Sequence, residues 1–150
     1  MVQRKLLWAG LVAVASLFIS SQLFAQADVN EKRQKLMKGQ SAAAKAIKGA
    51  AEAKDYATIE TKAKDLMGSS EKIGDLFPKG STAGKTKAKA DIWDKWDDFG
   101  KGASKLGKAA GELAKAAGEK DDAKVQAGVK AVSGACGGCH KAFRAEKYSE

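Results

Sequence analysis

One proline, one histidine and two cysteines are all that 150 residues contain of these types, and each shortage removes a class of protein. With Pro78 the lone proline, helices elsewhere run without a built-in breaker. Two cysteines cannot make a disulfide framework, and a chain of this length needs none, since it buries roughly two-thirds of its unfolded surface on folding. A structural zinc site takes four ligands, and the two thiols and one imidazole available fall short. No acid–base pair, nucleophile triad or phosphate-binding loop stands out, so the sequence offers no support for an enzyme. Runs of β-branched residues are scarce too, which leaves little material for strands.

What is present is alanine, lysine and glutamate, a composition that reads as helix throughout. Lysine and arginine number 27 against 18 acids, for a net charge of +9. Such a surface attracts acidic protein partners. The lysines are scattered along the chain, which makes them a solvated face and not a binding arm. The first segment differs: "MVQRK" is cationic, "LLWAGLVAVASLFIS" is apolar, and small residues surround Ala25-Gln26-Ala27. That layout predicts a secretory signal peptide over 1–27, cut after Ala27, and a periplasmic domain over 28–150. The apolar run is shorter than the ~20 residues that span a bilayer, so no stable membrane anchor is expected after cleavage. An exported protein is not expected to meet nucleic acid.

Four amphipathic segments follow. The first is ambiguous: Leu36 or Met37, Ala43 or Ala44, Ile47, then Ala50 or Ala51. The second runs Tyr56, Ile59, Ala63, Leu66, Ser70, Ile73 and Phe77, entered at Asp55. In the third, Ile92, Trp96, Phe99, Ala103, Leu106, Ala110, Leu113 and Ala117 alternate steps of four and three behind a cap at Asp91. The fourth carries Val125, Val129, Val132, Cys136, Cys139 and Phe143 behind Asp121 or Asp122. Steps of three and four keep one helix face towards a core. "AEAKD" and "GEKDD" are short connections between antiparallel neighbours, whereas "FPKGSTAGKTKAKA" is a longer loop over one end. The predicted fold is all-α, an antiparallel four-helix bundle. Gly100, Gly102, Gly107, Gly111 and Gly118 in the third helix thin its core and leave room for a large apolar cofactor.

All the soft ligands fall in "ACGGCHKAFRAEK", as Cys136, Cys139 and His140. In a helix these three lie on one face within about one turn. Thiols at this spacing match the two vinyl groups of haem, and the adjacent imidazole reaches the iron from the same side. C-x-x-C-H is the c-type haem attachment signal. A zinc site, a thioredoxin-like redox pair and a plain disulfide are the rivals, and none of them accounts for His140.

A signal peptide, four helices and C-x-x-C-H near the C-terminus together resemble the class II c-type cytochromes, the cytochrome c′ and cytochrome c-556 types. The "DIW" of the third helix and the "KDYATI" of the second also look familial. The resemblance implies one haem c bound through Cys136 and Cys139, His140 as an axial ligand, and Arg144 close to the haem. It also implies that helix one supplies what covers the other face of the iron. The family's "RQ" matches Arg33-Gln34, which makes both candidate contacts of the haem propionates and places the covering residue at Met37. A methionine there gives six-coordinate iron and a periplasmic carrier of single electrons, closest to the c-556 type. A register one residue earlier puts Leu36 over the iron. That gives the alternative, a five-coordinate, high-spin cytochrome c′ that binds nitric oxide or carbon monoxide. Met67 is a further methionine, on a helix that does not carry the family's covering residue. The resemblance leaves monomer and homodimer open, and the basic surface implies redox partners with acidic patches.

Overall fold

The structure, a computed structural model, describes residues 28–82 and 84–148. The expected signal peptide at 1–27 lies outside the described residues. Four long helices make the bundle: α1 over 28–52, α2 over Tyr56–Glu71, α4 over Trp96–Gly118 and α5 over Asp122–Phe143. A single turn, α3 over Asp91–Asp94, precedes α4, and a 3-10 turn over Gly74–Leu76 follows α2. α4 packs against α2 on one side and α5 on the other. α1 lies along α2, where Gln40 Nε2 donates to Ser69 Oγ at 3.1 Å. Ile47, Ile59, Leu66, Ile92, Leu113 and Val125 are the largest side chains sealed in the core.

The two short connections use the same chemistry. Lys54 and Lys120 adopt left-handed conformations, φ 56° and 54°, at the ends of α1 and α4. Each is followed by an amide that reaches back five residues, Asp55 to Ala50 at 2.8 Å and Asp121 to Ala116 at 3.1 Å. These pairs of bonds close the preceding helix as a Schellman motif. The same two aspartates then open the next helix: Asp55 accepts from the Thr58 amide and Asp121 from the Lys124 amide. Asp122, the other candidate cap, instead accepts from Tyr56 Oη at 2.6 Å and pairs with Lys54, tying the two connections together.

The third helix departs from the expectation. It is broken at Lys95, whose φ and ψ of −120° and 43° are not helical. Asp91 sits inside the first turn and its side chain caps nothing; Ala90 holds the cap position. The cause lies in the loop before it. Trp93 Nε1 donates to the carbonyls of Phe77 and Pro78 at 3.1 and 3.0 Å, which fixes α3 against the chain leaving α2. Trp96 is thereby left 44% exposed and not in the core seam.

We therefore expect Asp121→Ala to lower the denaturation midpoint and Asp91→Ala to leave it nearly unchanged, read by urea titration. The Lys124 amide first, and then its side chain, hold the Asp121 carboxyl below its ordinary range. The cap's contribution is accordingly full above the unfolded carboxylate pKa of about 3.9 and is lost as pH falls through the lower folded value.

The glycines of α4 also have a use other than leaving space for a cofactor. A Cβ on Gly107 would come within 2.6 Å of Ser70 Oγ, and one on Gly111 within 3.3 Å of Met67 Sδ. Both positions let α2 approach α4 closely. Gly102 faces the other neighbour, α5, and what it meets there belongs to the site.

Candidate functional site

α1 begins, α2 ends, α4 begins and α5 ends at the same end of the bundle, and an aromatic chain joins them. Phe77 after α2 meets Phe99 of α4 edge-on, ring centres 4.8 Å apart, and Phe99 meets Phe143 of α5 at 5.4 Å. On the far side the Arg33 guanidinium of α1 lies 4.2 Å over the Phe77 ring. Met37 is one turn after Arg33, and Cys136, Cys139 and His140 occupy the last two turns of α5 before Phe143. The fold thus gathers most of the sequence's candidates at one end.

The two cysteines are free, half-buried thiols packed on the edge of the core. Burial pushes both thiols up in pKa, and at Cys139 the neighbouring Cys136 adds to the effect. His140 is pushed down, by burial first and then by the charge of Arg144, which keeps its imidazole neutral and able to ligate a metal. Opposite Cys139, a Cβ on Gly102 would stand 3.2 Å from the Sγ. The donor set fits a group attached through both sulfurs, and a side chain at Gly102 would crowd the Cys139 sulfur. Gly102→Val is expected to reduce the yield of covalently haem-loaded protein several-fold relative to Gly100→Ala, a site with nothing within 4 Å. Equal yields by haem staining would dissociate Gly102 from the attachment site.

Arg144 follows His140 by one turn, but as the cap that ends α5 and not as a residue within the helix. α5 stops at Phe143, and Arg144 is extended, φ −114° and ψ 126°, with its amide bonded to the His140 carbonyl at 3.0 Å. It forms an isolated antiparallel bridge with Ala88. The loop expected over the end of the bundle is therefore strapped to the terminus of α5: Lys89 N donates to Phe143 O at 3.0 Å and Ala145 N to Lys87 O at 2.8 Å. Gln34 Nε2 holds the same strap from α1, donating to Lys85 O at 3.3 Å.

Arg33 is only 4% exposed. Its guanidinium donates to the Leu76 and Ser81 carbonyls, to Asn30 Oδ1 and to Ser81 Oγ, all of them neutral oxygens. Burial pushes its pKa down to about 10, so it remains charged at neutral pH. In the structure Arg33 fastens the chain after α2 to the start of α1, a role the sequence pattern did not indicate.

Leu36 and Met37 are both half-buried and both pack against the core. Asn30, Arg33, Met37, Gln40, Ala44, Ile47 and Ala51, spaced by three and four, run along the inward face, all buried or half-buried. Leu36 also lines a groove between α1 and α2, with Gln40, Ala43 and Leu66. Met67 is 39% exposed and faces the outer groove between α2 and α4 with Trp96.

Compared with known proteins, residues 28–144 match the family described as cytochrome c′. The chain belongs to the cytochrome c′ family. Cytochrome c′ of Rhodopseudomonas palustris is 36% identical over 148 residues, covering 93% of this chain and 94% of that one. Cytochrome c-556 of Agrobacterium tumefaciens is 32% identical over 120 residues, 78% of this chain and 97% of the relative. Among solved structures, cytochrome c prime from Shewanella frigidimarina superposes with a TM-score of 0.75 at 26% identity, covering 81% of this chain and 97% of its own. A member of the cytochrome c′ family carries one covalent haem c, and Cys136 and Cys139 are the only cysteines in this sequence to hold it. The strap over 85–89 and its pairing with the end of α5 are the part of the site that motif reading missed. The alternation in "KTKAKA" was a visible sign of extended chain.

Proposed function

We propose that this cytochrome is an exported, periplasmic carrier of single electrons, with His140 and Met37 as the two axial ligands. The observation that supports the reading is the place of Met37: a half-buried thioether packed against the core one turn after buried Arg33, at the end of the bundle where α5 carries Cys136, Cys139 and His140. Haem c, when bound, supplies an iron that gains and loses one electron without a change of bonds. The chain's residues prepare that exchange. Cys136 and Cys139 would fix the group to α5, and His140, its pKa pushed down by burial and then by Arg144, would offer a lone pair. Met37 offers a thioether, a soft ligand that raises the potential and closes the position a gas would need. Ligation by His140 and Met37 together would let the iron change charge with little movement of the chain. Arg33 and Gln34 hold the chain after α2 and the strap in place through their N–H donors.

The high-spin, gas-binding alternative draws on the relatives, which bear the names cytochrome c′ and cytochrome c-556 alike. Spectroelectrochemistry of the haem-loaded protein separates the two. Sulfur–iron ligation predicts a weak red band in the oxidised state that vanishes and returns over a reversible one-electron titration. An oxidised spectrum without that band would remove Met37 from the iron.

A further inference from the structure

The strap and the end of α5 together assemble a charge pattern that neither segment has alone. Lys85, Lys87 and Lys89 alternate along the strap, and the bridge between Ala88 and Arg144 sets them beside Lys141, Arg144 and Lys147. In the described parts of these two segments, 84–89 and 140–148, Glu146 is the one carboxylate against six cations. The cations are held in place. Lys87 Nζ donates to Glu146 O at 2.7 Å, and Lys89 Nζ reaches the Lys141 and Ala142 carbonyls at 3.5 and 3.3 Å. The Lys85 and Lys87 ammonium groups lie 5.3 and 4.8 Å over the ring of Tyr148, itself 44% exposed. Asp91, Asp94, Asp97 and Asp98 open α3 and α4 nearby in the chain. Positive charge is therefore concentrated on the strap and the α5 terminus and is not spread over that whole end.

His140 is exposed in the middle of this pattern, one turn before Arg144. Fixed, clustered charges of one sign steer an oppositely charged partner and set its orientation. We propose that the strap over 85–89 and the terminus of α5 form the face on which a protein partner with a carboxylate-rich surface docks, so that electrons cross beside His140. This rests on the reading that the chain exchanges electrons with another protein. The strap is then a docking element, with Gln34 and the Ala88–Arg144 bridge as its anchors. Tyr148 gives the face a flat, half-apolar centre among the cations, the composition typical of interface cores.

Two measurements on the haem-loaded protein test this. In the first, the reduced protein is titrated with hexacyanochromate(III), a paramagnetic trianion that does not react, with hexacyanocobaltate(III) as the diamagnetic blank. Amide signals of 85–89 and 140–148 are expected to broaden before any others, and salt at about 0.5 M is expected to abolish the effect. Broadening shared with the exposed lysines of α1 and α2 would overturn the proposal.

In the second, oxidation of the reduced protein by hexacyanoferrate(III), one electron passing outward with no bond made or broken, is timed at low salt. Lys85→Glu with Lys87→Glu is compared with Lys45→Glu with Lys48→Glu, which changes the net charge equally on α1. The strap pair is expected to slow the reaction about tenfold or more and the α1 pair far less. Equal slowing would overturn the proposal. If the strap pair fails to fold, the anion titration of the unmodified protein decides. Neither readout depends on Met37: a high-spin protein whose broadening is confined to this face would remove the His/Met reading and leave the docking face standing.

Discussion

Replacing both Cys136 and Cys139 by alanine is expected to abolish covalent haem. The unmodified protein, produced in a host with haem-attachment machinery, should keep its haem through acidified organic solvent and denaturing electrophoresis. The double variant should release all of it or never acquire it. The expectation follows from the chain's inventory: these are its only cysteines, both are free, and both pack at the core edge, where Gly102 lets α4 approach the Cys139 sulfur. Each single variant keeps one attachment point and should retain haem with a shifted pyridine haemochrome band. Loss of haem through misfolding is separable by circular dichroism. Ile47, Ile59, Leu66, Leu113 and Val125 form the sealed core without either cysteine, so helical content should persist in the double variant. Covalent haem in that variant would contradict the attachment assigned to α5.

The second large effect is at Met37. Met37→Leu should convert a low-spin spectrum to a high-spin one, lower the reduction potential, and take carbon monoxide binding from undetectable to saturable. The substitution keeps the side chain's volume closely enough that its stability cost should stay below about 1.5 kcal/mol. A spectral change then reports ligation and not collapse. The matching control is Leu36→Ala, one residue away. Leu36 lines the groove between α1 and α2, so its truncation should leave both spectrum and carbon monoxide response unchanged. If Leu36→Ala opens the iron and Met37→Leu does not, the register of α1 is the other one and the protein binds gases.

The pair of variants matters because α1 was the least legible helix in the sequence. Its alanines at 42–44 and 50–51 satisfy two registers equally well, so hydrophobic periodicity alone left Leu36 and Met37 in competition. In the structure both stay half-buried against the core, flanked alike by buried Arg33 and Gln40, so the pair of variants decides what burial does not. α2 and α5 were legible because Ile59, Leu66, Val125 and Val132 are spaced for one face and Asp55 and Asp121 cap them. The break at Lys95 was not, since neither proline nor glycine marks it. Its cause is a tertiary one, the bond from Trp93 to the Phe77 and Pro78 carbonyls. The strap was hidden for a similar reason. Its partner is the end of α5, more than fifty residues away in sequence, and the bridge there also takes Arg144 off the helix on which i, i+4 spacing had placed it.

Carbon monoxide added to the reduced, unmodified haem-loaded protein tests the His140/Met37 carrier most directly. A filled sixth position predicts sharp α and β bands that do not change over minutes of exposure. A broad high-spin spectrum that shifts promptly on addition would contradict ligation by Met37 and make the chain a gas-binding cytochrome c′.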